Sequence, residues 1–177
     1  RFPGRDWIFL GYLGTMMIPG QVTLIPNFVL MRRLGWIDTH TAIVVPALVS
    51  AFGTFLMRQF FLTIPQELTD AGSIDGASPL AIYWRIMLPL TKPALATLAV
   101  FTFMGNWNSF LWPLIVLDTM TKRTLPLGLV SFRGYYATSW NLLMAATVMS
   151  LGPVIALFLA AQRYFTQGIT LTGLAGQ

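Results

Sequence analysis

The sequence predicts an all-α, polytopic membrane helix bundle. Hydrophobic residues make up 55% of the 177 residues and charged residues only 10%, and the mean hydropathy is +0.68. This composition lies on the membrane side of the balance that is usual for globular domains. A helix of about 20 apolar residues crosses a bilayer core of about 30 Å, so windows of that length are the elements to look for.

Four windows are long and apolar enough to be predicted spans. They cover about residues 7–30, 41–62, 93–117 and 141–161. The first is too long for a cleavable signal peptide and is followed by further spans. The first and third also contain prolines and polar side chains, which at membrane depth are expected to face protein or a water-filled cavity. Interhelical hydrogen bonding and pore lining both remain open for these polar residues.

Composition argues against several other classes of protein. The formal charge is +5, but the basic residues are spread among loops and helix ends, which does not suit nucleic-acid binding. The chain has no cysteine, which excludes disulfide and thiolate chemistry. Its single histidine, His40, lies in a loop without further ligands at metal-binding spacing, so no metal site is expected. No predicted span contains a carboxylate, which disfavours a membrane-embedded hydrolase.

The connections between the spans carry the remaining polar residues. The stretch from Asp118 to Trp140 is predicted to be an external loop, with Tyr135, Tyr136 and Trp140 at the membrane interface. An even number of spans puts both ends of the chain on the same side as residues 63–92. The basic residues divide almost evenly between the two sides, so the positive-inside rule does not choose the orientation.

The segment from Glu67 to Pro89 is a charged interruption in an otherwise apolar chain. Each charge at the centre of a spanning helix costs about 2.5–3.5 kcal/mol, so its four charges keep this segment outside the hydrocarbon. Two short helices are predicted within it. The first opens at Pro65 and closes at Gly76, and the second opens at Ser78 and Pro79 and stops at Pro89.

One face of the first short helix is built largely from small residues. Leu68, Ala71, Gly72 and Ile74 fall on one arc of about 160° that they share with Glu67 and Asp75, and we take the small Ala71 and Gly72 as the centre of this face. Such a face lets another backbone approach closely and suits a helix that inserts into a partner's groove. A connector helix lying on its own bundle is the alternative.

The spacing in this segment resembles a known signature. Asp70-Ala71-Gly72, three residues, Gly76, nine residues, Ile86, one residue and Leu88-Pro89 are similar to the EAA motif of binding-protein-dependent ABC importer permeases. Asp70 stands where glutamate is usual, which keeps the charge. Gly72 stands where alanine is usual, which lowers helix propensity by about 1 kcal/mol.

Further motifs along the chain resemble the carbohydrate-uptake branch of this family, of the maltose-permease G type. They are Ile18-Pro19-Gly20-Gln21, Ile25-Pro26, Arg32-Arg33-Leu34-Gly35, Ile37-Asp38, Pro46-Ala47, Arg58-Gln59-Phe60-Phe61, Ile74-Asp75-Gly76-Ala77, Asn106-Trp107-Asn108, Phe110-Leu111-Trp112-Pro113, Leu142-Leu143-Met144-Ala145-Ala146 and Gln162-Arg163-Tyr164-Phe165. Together they cover nearly the whole chain.

The resemblance implies a fold and two groups of functional residues. The fold would be an ABC type I importer transmembrane domain with four spans present and an EAA-loop coupling helix, which docks on the ATPase. The ATPase-coupling residues would be Glu67, Leu68, Asp70, Ala71, Gly72, Ile74, Asp75, Gly76, Ala77, Leu88 and Pro89. The expected translocation-path residues are Gln21, Asn27, Asn106, Asn108 and Trp112, because amides and a tryptophan face are what a hydroxyl-rich sugar contacts.

The resemblance also implies partners and a location. This chain would bind no cofactor, since it lacks a Gly-rich phosphate loop; ATP and Mg²⁺ would sit on two copies of an ATP-binding cassette subunit. A second related permease, an extracytoplasmic solute-binding protein and membrane lipid would complete the complex. The chain would lie in the cytoplasmic (inner) membrane of a prokaryote, with the coupling segment and both ends cytoplasmic. Because the family usually has six spans, we expect a C-terminal fragment that lacks the first two.

Three other functions remain open. A permease for a non-sugar solute, such as glycerol phosphate or an oligopeptide, has the same architecture. A membrane assembly protein without transport activity would not need a charged helix with a small face. A membrane-embedded enzyme would need a nucleophile and a base at one depth, which the predicted spans do not supply.

Overall fold

The structure is a computed structural model that describes residues 2–134 and 138–173, with side chains through Gln162. The predicted all-α class is confirmed: the extended pairing in the described residues is one isolated bridge, Arg133 with Thr138. Tyr135 and Tyr136 lie outside the described residues.

The α-helices are α1 Arg5–Gly14, α2 Gly20–Arg33, α3 Thr41–Ala47, α4 Ala51–Thr63, α5 Glu67–Ile74, α6 Pro79–Ile82, α7 Leu88–Leu90, α8 Lys92–Trp107, α9 Leu111–Val116, α10 Leu125–Leu129 and α11 Trp140–Gly173. Short 3₁₀ turns cover Thr15–Met17, Met120–Lys122 and Val130–Phe132, and a π-helical turn covers Tyr83–Met87.

Helices long and apolar enough to cross a membrane are present among the described residues. Thr41–Thr63 and Trp140–Gln162 each qualify alone. Two bent pairs qualify if each pair forms one span: Arg5–Met17 with Gly20–Arg33, at 95°, and Pro79–Leu90 with Lys92–Trp107, at 71°. The membrane-helix class is therefore supported, while the exact predicted spans stay predictions.

The first predicted span, residues 7–30, is not one straight helix. Ile18 has an extended backbone (φ −81°, ψ 116°), and Pro19 follows it. A residue before proline is pushed out of the helical region by contact with the proline ring, so the chain turns here and α2 begins afresh at Gly20.

The third predicted span, residues 93–117, is interrupted as well. Helix α8 ends at Trp107, and the Asn108 side chain turns back to donate from Nδ2 to the Met104 carbonyl at 2.8 Å. The Ser109 N–H bonds the Asn106 carbonyl at 3.1 Å. Polar side chains that bond their own backbone compete with helix continuation, and α9 starts only at Leu111.

The described chain divides into two compact units. The first combines Arg1–Ala51 with Phe103–Ala156, and the second combines Phe52–Thr102 with Leu157–Gln177. The core of the first unit contains buried side chains from α2, α3, the α9 region and α10: Met31, Ala42, Val116, Leu117 and Leu127. In the second unit, Phe52 and Phe101 pack edge to face with ring centroids 6.0 Å apart, and Thr91 is completely buried at the bend between α7 and α8.

A proline inside α3 leaves a backbone acceptor that a side chain from α9 satisfies. Pro46 has no N–H, so it cannot donate the usual helical bond to the carbonyl of Ala42, four residues earlier. The indole Nε1 of Trp112 donates to that carbonyl at 2.9 Å. Since Ala42 is fully buried, this bond replaces the missing helical one and ties α9 to α3.

A second cluster of hydrogen bonds joins the loop after α2 to the loop after α9. Asp38 has a left-handed backbone (φ 58°), which aspartate tolerates better than most residues. Its carboxylate accepts bonds from the Thr119 hydroxyl (2.6 Å), the Thr119 and Asp118 amides (2.9 and 3.0 Å) and Lys122 Nζ (2.9 Å). Lys122 Nζ also donates to the Asp38 carbonyl at 2.7 Å, while His40 Nε2 lies 3.2 Å from the Lys122 carbonyl.

These bonds change the acidity of Asp38. The Thr119 hydroxyl, and after it the Lys122 ammonium, hold the pKa of the Asp38 carboxyl well below its usual range. A carboxyl whose pKa is lower in the folded state stabilises the fold fully above its ordinary pKa of about 3.9. This stabilisation is lost as the pH falls through the lowered folded pKa.

The bond from Trp112 to the Ala42 carbonyl predicts a coupled effect with Pro46. Trp112→Phe leaves a buried carbonyl without its donor and should lower the free energy of unfolding by about 1–3 kcal/mol. In a Pro46→Ala background the alanine N–H can bond the Ala42 carbonyl. Trp112→Phe should therefore lower the free energy of unfolding by about 1 kcal/mol less in that background. Unfolding of the purified complete protein in detergent measures both costs.

The exposed Trp7 offers a matched control, since Trp7→Phe should leave the unfolding free energy nearly unchanged. An equal cost of Trp112→Phe in both backgrounds would contradict the proposed replacement of the helical bond.

The Asp38 cluster predicts a pH-dependent loss of stability. Asp38→Asn should lower the thermal unfolding midpoint at neutral pH, because a neutral amide loses the ion pair with Lys122 and cannot accept the same set of bonds. The difference from the unaltered protein should shrink below about pH 4, where the unfolded carboxyl is protonated. Asp118→Asn is the control, because Asp118 contributes only its backbone N–H to the cluster. A midpoint difference that is constant from pH 7 to pH 3 would contradict the ionic contribution.

Candidate coupling segment and polar pocket

The first short helix of the charged segment, α5, begins and ends close to the predicted positions. It starts two residues after Pro65, and Glu67 and Asp70 occupy its first turn, where negative charge is favoured by the helix dipole. At its end the Ala77 N–H bonds the Gly72 carbonyl at 2.9 Å and the Gly76 N–H bonds the Ser73 carbonyl at 3.1 Å. This pair of bonds is a Schellman motif, and Gly76 has the left-handed φ of 76° that the motif requires.

The second short helix begins as predicted but does not stop at Pro89. The Ser78 hydroxyl accepts a bond from the Ala81 N–H at 3.2 Å, and Pro79 follows the cap. The helix then continues through the π-helical turn and α7 to Leu90. Pro89 is the second residue of α7 and follows the π-helical turn, to which it donates no backbone hydrogen bond because it has no N–H. The helix instead breaks at Thr91, whose hydroxyl bonds the Leu88 carbonyl at 2.8 Å.

Gly72 packs inside the second unit, and its predicted place at the centre of the partner face is corrected. It is buried, and a Cβ added there would lie 3.0 Å from Ile86 Cδ1 and 3.2 Å from Ile82 Cγ1. Glycine at this position allows α5 to lie directly against α6 and the π-helical turn. The departure from the usual alanine therefore has a physical reason within this chain.

With Gly72 facing inward, a different face of α5 is directed away from the rest of the unit. On a 100° helical wheel the direction opposite Gly72 falls between Asp70 and Ile74, with Glu67 and Ala71 beside them. These four residues, which we call the outward face, are all exposed, and the Ile74 side chain is 86% exposed. On the same wheel Leu68 lies about 40° from Gly72, toward the inward side of the helix, and is 41% exposed.

The acidic side chains of this helix are available to a partner. Within the described residues, no side-chain hydrogen bond or ion pair engages Glu67, Asp70 or Asp75. Asp75 caps the helix and is exposed, as is Pro89, whereas Ala77 and Leu88 are half-buried. The outward face thus combines one exposed apolar side chain with carboxylates that carry no internal partner.

A pocket of about 500 Å³, lined by both polar and apolar side chains, lies in the first unit. The first two turns of α2, Pro46 and residues 109–112 line it. Three of the five predicted path residues, Gln21, Asn27 and Trp112, come together there. Asn106 and Asn108 are not among the lining residues, and the Asn108 amide is engaged by its own helix.

Sequence reasoning missed several residues of this pocket and of the loops. Thr23, Ser109 and Phe110 also line it, but they gave no signal distinct from ordinary helix packing. The Asp38–Lys122 cluster joins residues far apart in sequence, which spacing alone does not bring together. Within the described ranges, no three His, Asp or Glu side chains gather closely enough to hold a metal ion.

Comparison with known proteins supports the family assignment that the sequence motifs predicted. The model of the family "binding-protein-dependent transport system inner membrane component" matches residues 2–171. The chain is 41% identical over 175 residues to the arabinooligosaccharides transport system permease protein AraQ of Halalkalibacterium halodurans, covering 99% of this chain and 63% of the relative. It is 40% identical over 171 residues to the sn-glycerol-3-phosphate transport system permease protein UgpE of Pectobacterium atrosepticum, covering 96% and 61%. The chain thus spans less than two thirds of the length of these relatives.

A solved structure supports the same assignment. The fold of this chain is similar to that of a chain in the crystal structure of a bacterial ABC transporter involved in the import of the acidic polysaccharide alginate, with a TM-score of 0.77. The two chains are 29% identical, and the match covers 93% of this chain and 63% of that chain. The helical fold, the candidate membrane spans and the family match agree with one another. The chain is a member of the binding-protein-dependent transport system inner membrane component family.

Proposed function

We propose that this chain is the permease subunit of an ATP-driven importer that moves a sugar or related polyol across the cytoplasmic membrane. The transport step would be alternating access, driven by a separate ATPase, and this subunit itself would catalyse no reaction. The two named relatives are transport permeases, and one of them belongs to a system for arabinooligosaccharides, which supports a carbohydrate as the solute.

The outward face of α5 is the observation that carries this proposal. The face combines an isoleucine that is 86% exposed with carboxylates that have no partner among the described residues, and a helix that only connects two spans does not require this combination. It suits a helix seated in a cleft of another subunit, where the apolar side chain is buried and the carboxylates meet basic groups. We assign that cleft to the ATP-binding cassette subunit.

The remaining partners follow from this assignment. Two ATPase copies would bind ATP and Mg²⁺, a second related permease would complete the pathway, and an extracytoplasmic binding protein would deliver the solute. The pocket formed by α2, Pro46 and residues 109–112 would be this subunit's part of the pathway. Asn106 and Asn108, predicted for the pathway from sequence, would then contribute to helix packing or to another part of it.

A second candidate is import of sn-glycerol 3-phosphate. The 40% identity to a permease of that transport system favours it, and the coupling segment would work in the same way. An oligopeptide permease or a membrane assembly protein has no comparable support.

Docking of the outward face predicts that Ala71→Arg separates the subunit from its ATPase. Ala71 is exposed, so the arginine should leave the fold intact, while its bulk and positive charge prevent close approach of the partner. We expect the amount of ATPase recovered with the purified permease to fall about tenfold or more, which corresponds to a loss of about 1.4 kcal/mol in binding free energy. Uptake should be lost in parallel.

Thr121→Arg provides the control, because it adds the same side chain at an exposed loop position outside the coupling segment. Normal ATPase recovery and uptake with Ala71→Arg would disprove the assigned docking face.

The proposed orientation predicts which positions reagents can reach. Since the chain has no cysteine, Ser73→Cys and Thr121→Cys provide single-cysteine reporters within it, both at exposed positions. A membrane-impermeant maleimide added to intact cells, through a permeable outer envelope, should label the cysteine at position 121. The cysteine at position 73 should react only after the membrane is opened. Labelling in the reverse order would place the coupling segment outside the cell.

A further inference from the structure

The pocket in the first unit is lined by polar side chains that have no hydrogen-bond partner among the described residues. The Gln21 and Asn27 side-chain amides and the Ser109 hydroxyl form no hydrogen bond within the described residues. An amide offers both donors and an acceptor, and a hydroxyl offers one donor and two acceptor positions. This set matches a ligand with alternating hydroxyl donors and acceptors.

The aromatic side of the pocket is held rigidly. The only polar atom of the Trp112 indole is engaged by the Ala42 carbonyl at 2.9 Å, so the ring has no hydrogen bond left to offer a ligand. What remains for the pocket is ring surface, supplemented by the partly exposed Phe110. Such surface suits the C–H face of a sugar ring, and a fixed ring loses little freedom on binding.

None of the residues that line the pocket carries a charge. Recognition of a carboxylate or phosphate generally relies on Arg or Lys side chains, and neither residue type is present in this lining. The first backbone N–H groups of α2 border the pocket at Gly20 and Gln21 and contribute a partial positive charge. They can equally donate to the oxygen of a hydroxyl group, so they do not by themselves call for an anion.

We propose that this pocket is a subsite for one uncharged sugar ring, with Gln21, Asn27 and Ser109 bonding its hydroxyl groups and Trp112 covering one face. This inference rests on the proposed function and narrows it: among the solutes named for the relatives, the lining suits a neutral oligosaccharide and disfavours an anionic polysaccharide or glycerol phosphate. Its volume of about 500 Å³ lies in the range of about 300–1,000 Å³ usual for small-molecule sites.

The test uses the complete transporter in lipid nanodiscs, without the binding protein, so that solute selection by that protein is absent. Saturation-transfer NMR reports direct contact with three probes: arabinotriose, sn-glycerol 3-phosphate and a mannuronate trisaccharide. We expect a signal from arabinotriose that falls about tenfold with the double change Gln21→Ala and Asn27→Ala, since two hydrogen-bonding groups are lost. The anionic probes should give little signal.

Asn141→Ala is the matched control, because it also removes an amide, at an exposed position outside the pocket. Recovery of the ATPase with each preparation tests the proposed function separately, because the pocket lies in the first unit and the coupling helix in the second. Transporter that assembles with its ATPase but gives no arabinotriose signal overturns the subsite alone, as does a signal unchanged by the double substitution. Stronger contact with an anionic probe overturns the neutral preference. Failure to recover any ATPase with the unaltered protein overturns the proposed function instead.

Discussion

The hydrogen bond from the Trp112 indole to the Ala42 carbonyl replaces the helical hydrogen bond that Pro46 removes from α3, and the arrangement of the first unit depends on it. A buried backbone carbonyl is costly to leave without a donor, and Pro46 removes the N–H that would normally bond the buried Ala42 carbonyl. Here the donor comes from a short helix far along the sequence. The bond therefore fixes α9 against α3, and the aromatic wall of the pocket is positioned as part of the same solution. The irregular backbone at Ser109 and Phe110 is tolerable in this setting because these two residues border the pocket.

In the segment from Glu67 to Pro89, the lack of a side chain at Gly72 determines which face of α5 packs against the second unit. Gly72 lets α5 lie directly on Ile82 and Ile86, and this contact directs Asp70 and Ile74 outward. Alanine in place of Gly72 would put a methyl group 3.0 Å from the end of the Ile86 side chain. That end is flexible, so alanine would require a small shift of one or both elements. The two departures from the EAA motif are thus different in kind: Gly72 packs inside the second unit, whereas Asp70 lies on the exposed outward face.

The sequence predicted the parts of this structure that depend on local chemistry. The cap at Ser78, the left-handed end at Gly76 and the apolar windows each follow from residue type and spacing. The bends could not be predicted in the same way, because hydropathy windows average over Pro19 and over Asn108. The inward direction of Gly72 was missed because a helical wheel gives the relative positions of residues but not which side contacts the protein. Of the predicted pathway, Gln21, Asn27 and Trp112 share one pocket, while Asn106 and Asn108 belong to a helix end whose position required the structure.

The π-helical turn at Tyr83–Met87 has a consequence for how this segment can vary. A π-helical turn holds one residue more than the α-helical turn it replaces, so it absorbs an extra residue with little change in the rotational phase of the helical segments on either side. Deleting one residue there would let the turn close as an ordinary α-helix, with little loss of backbone bonding. Ile82 would keep nearly the same direction relative to Leu88, and the surface on which Gly72 rests would be preserved. Single-residue length changes in this turn can therefore be accommodated without re-aiming α5.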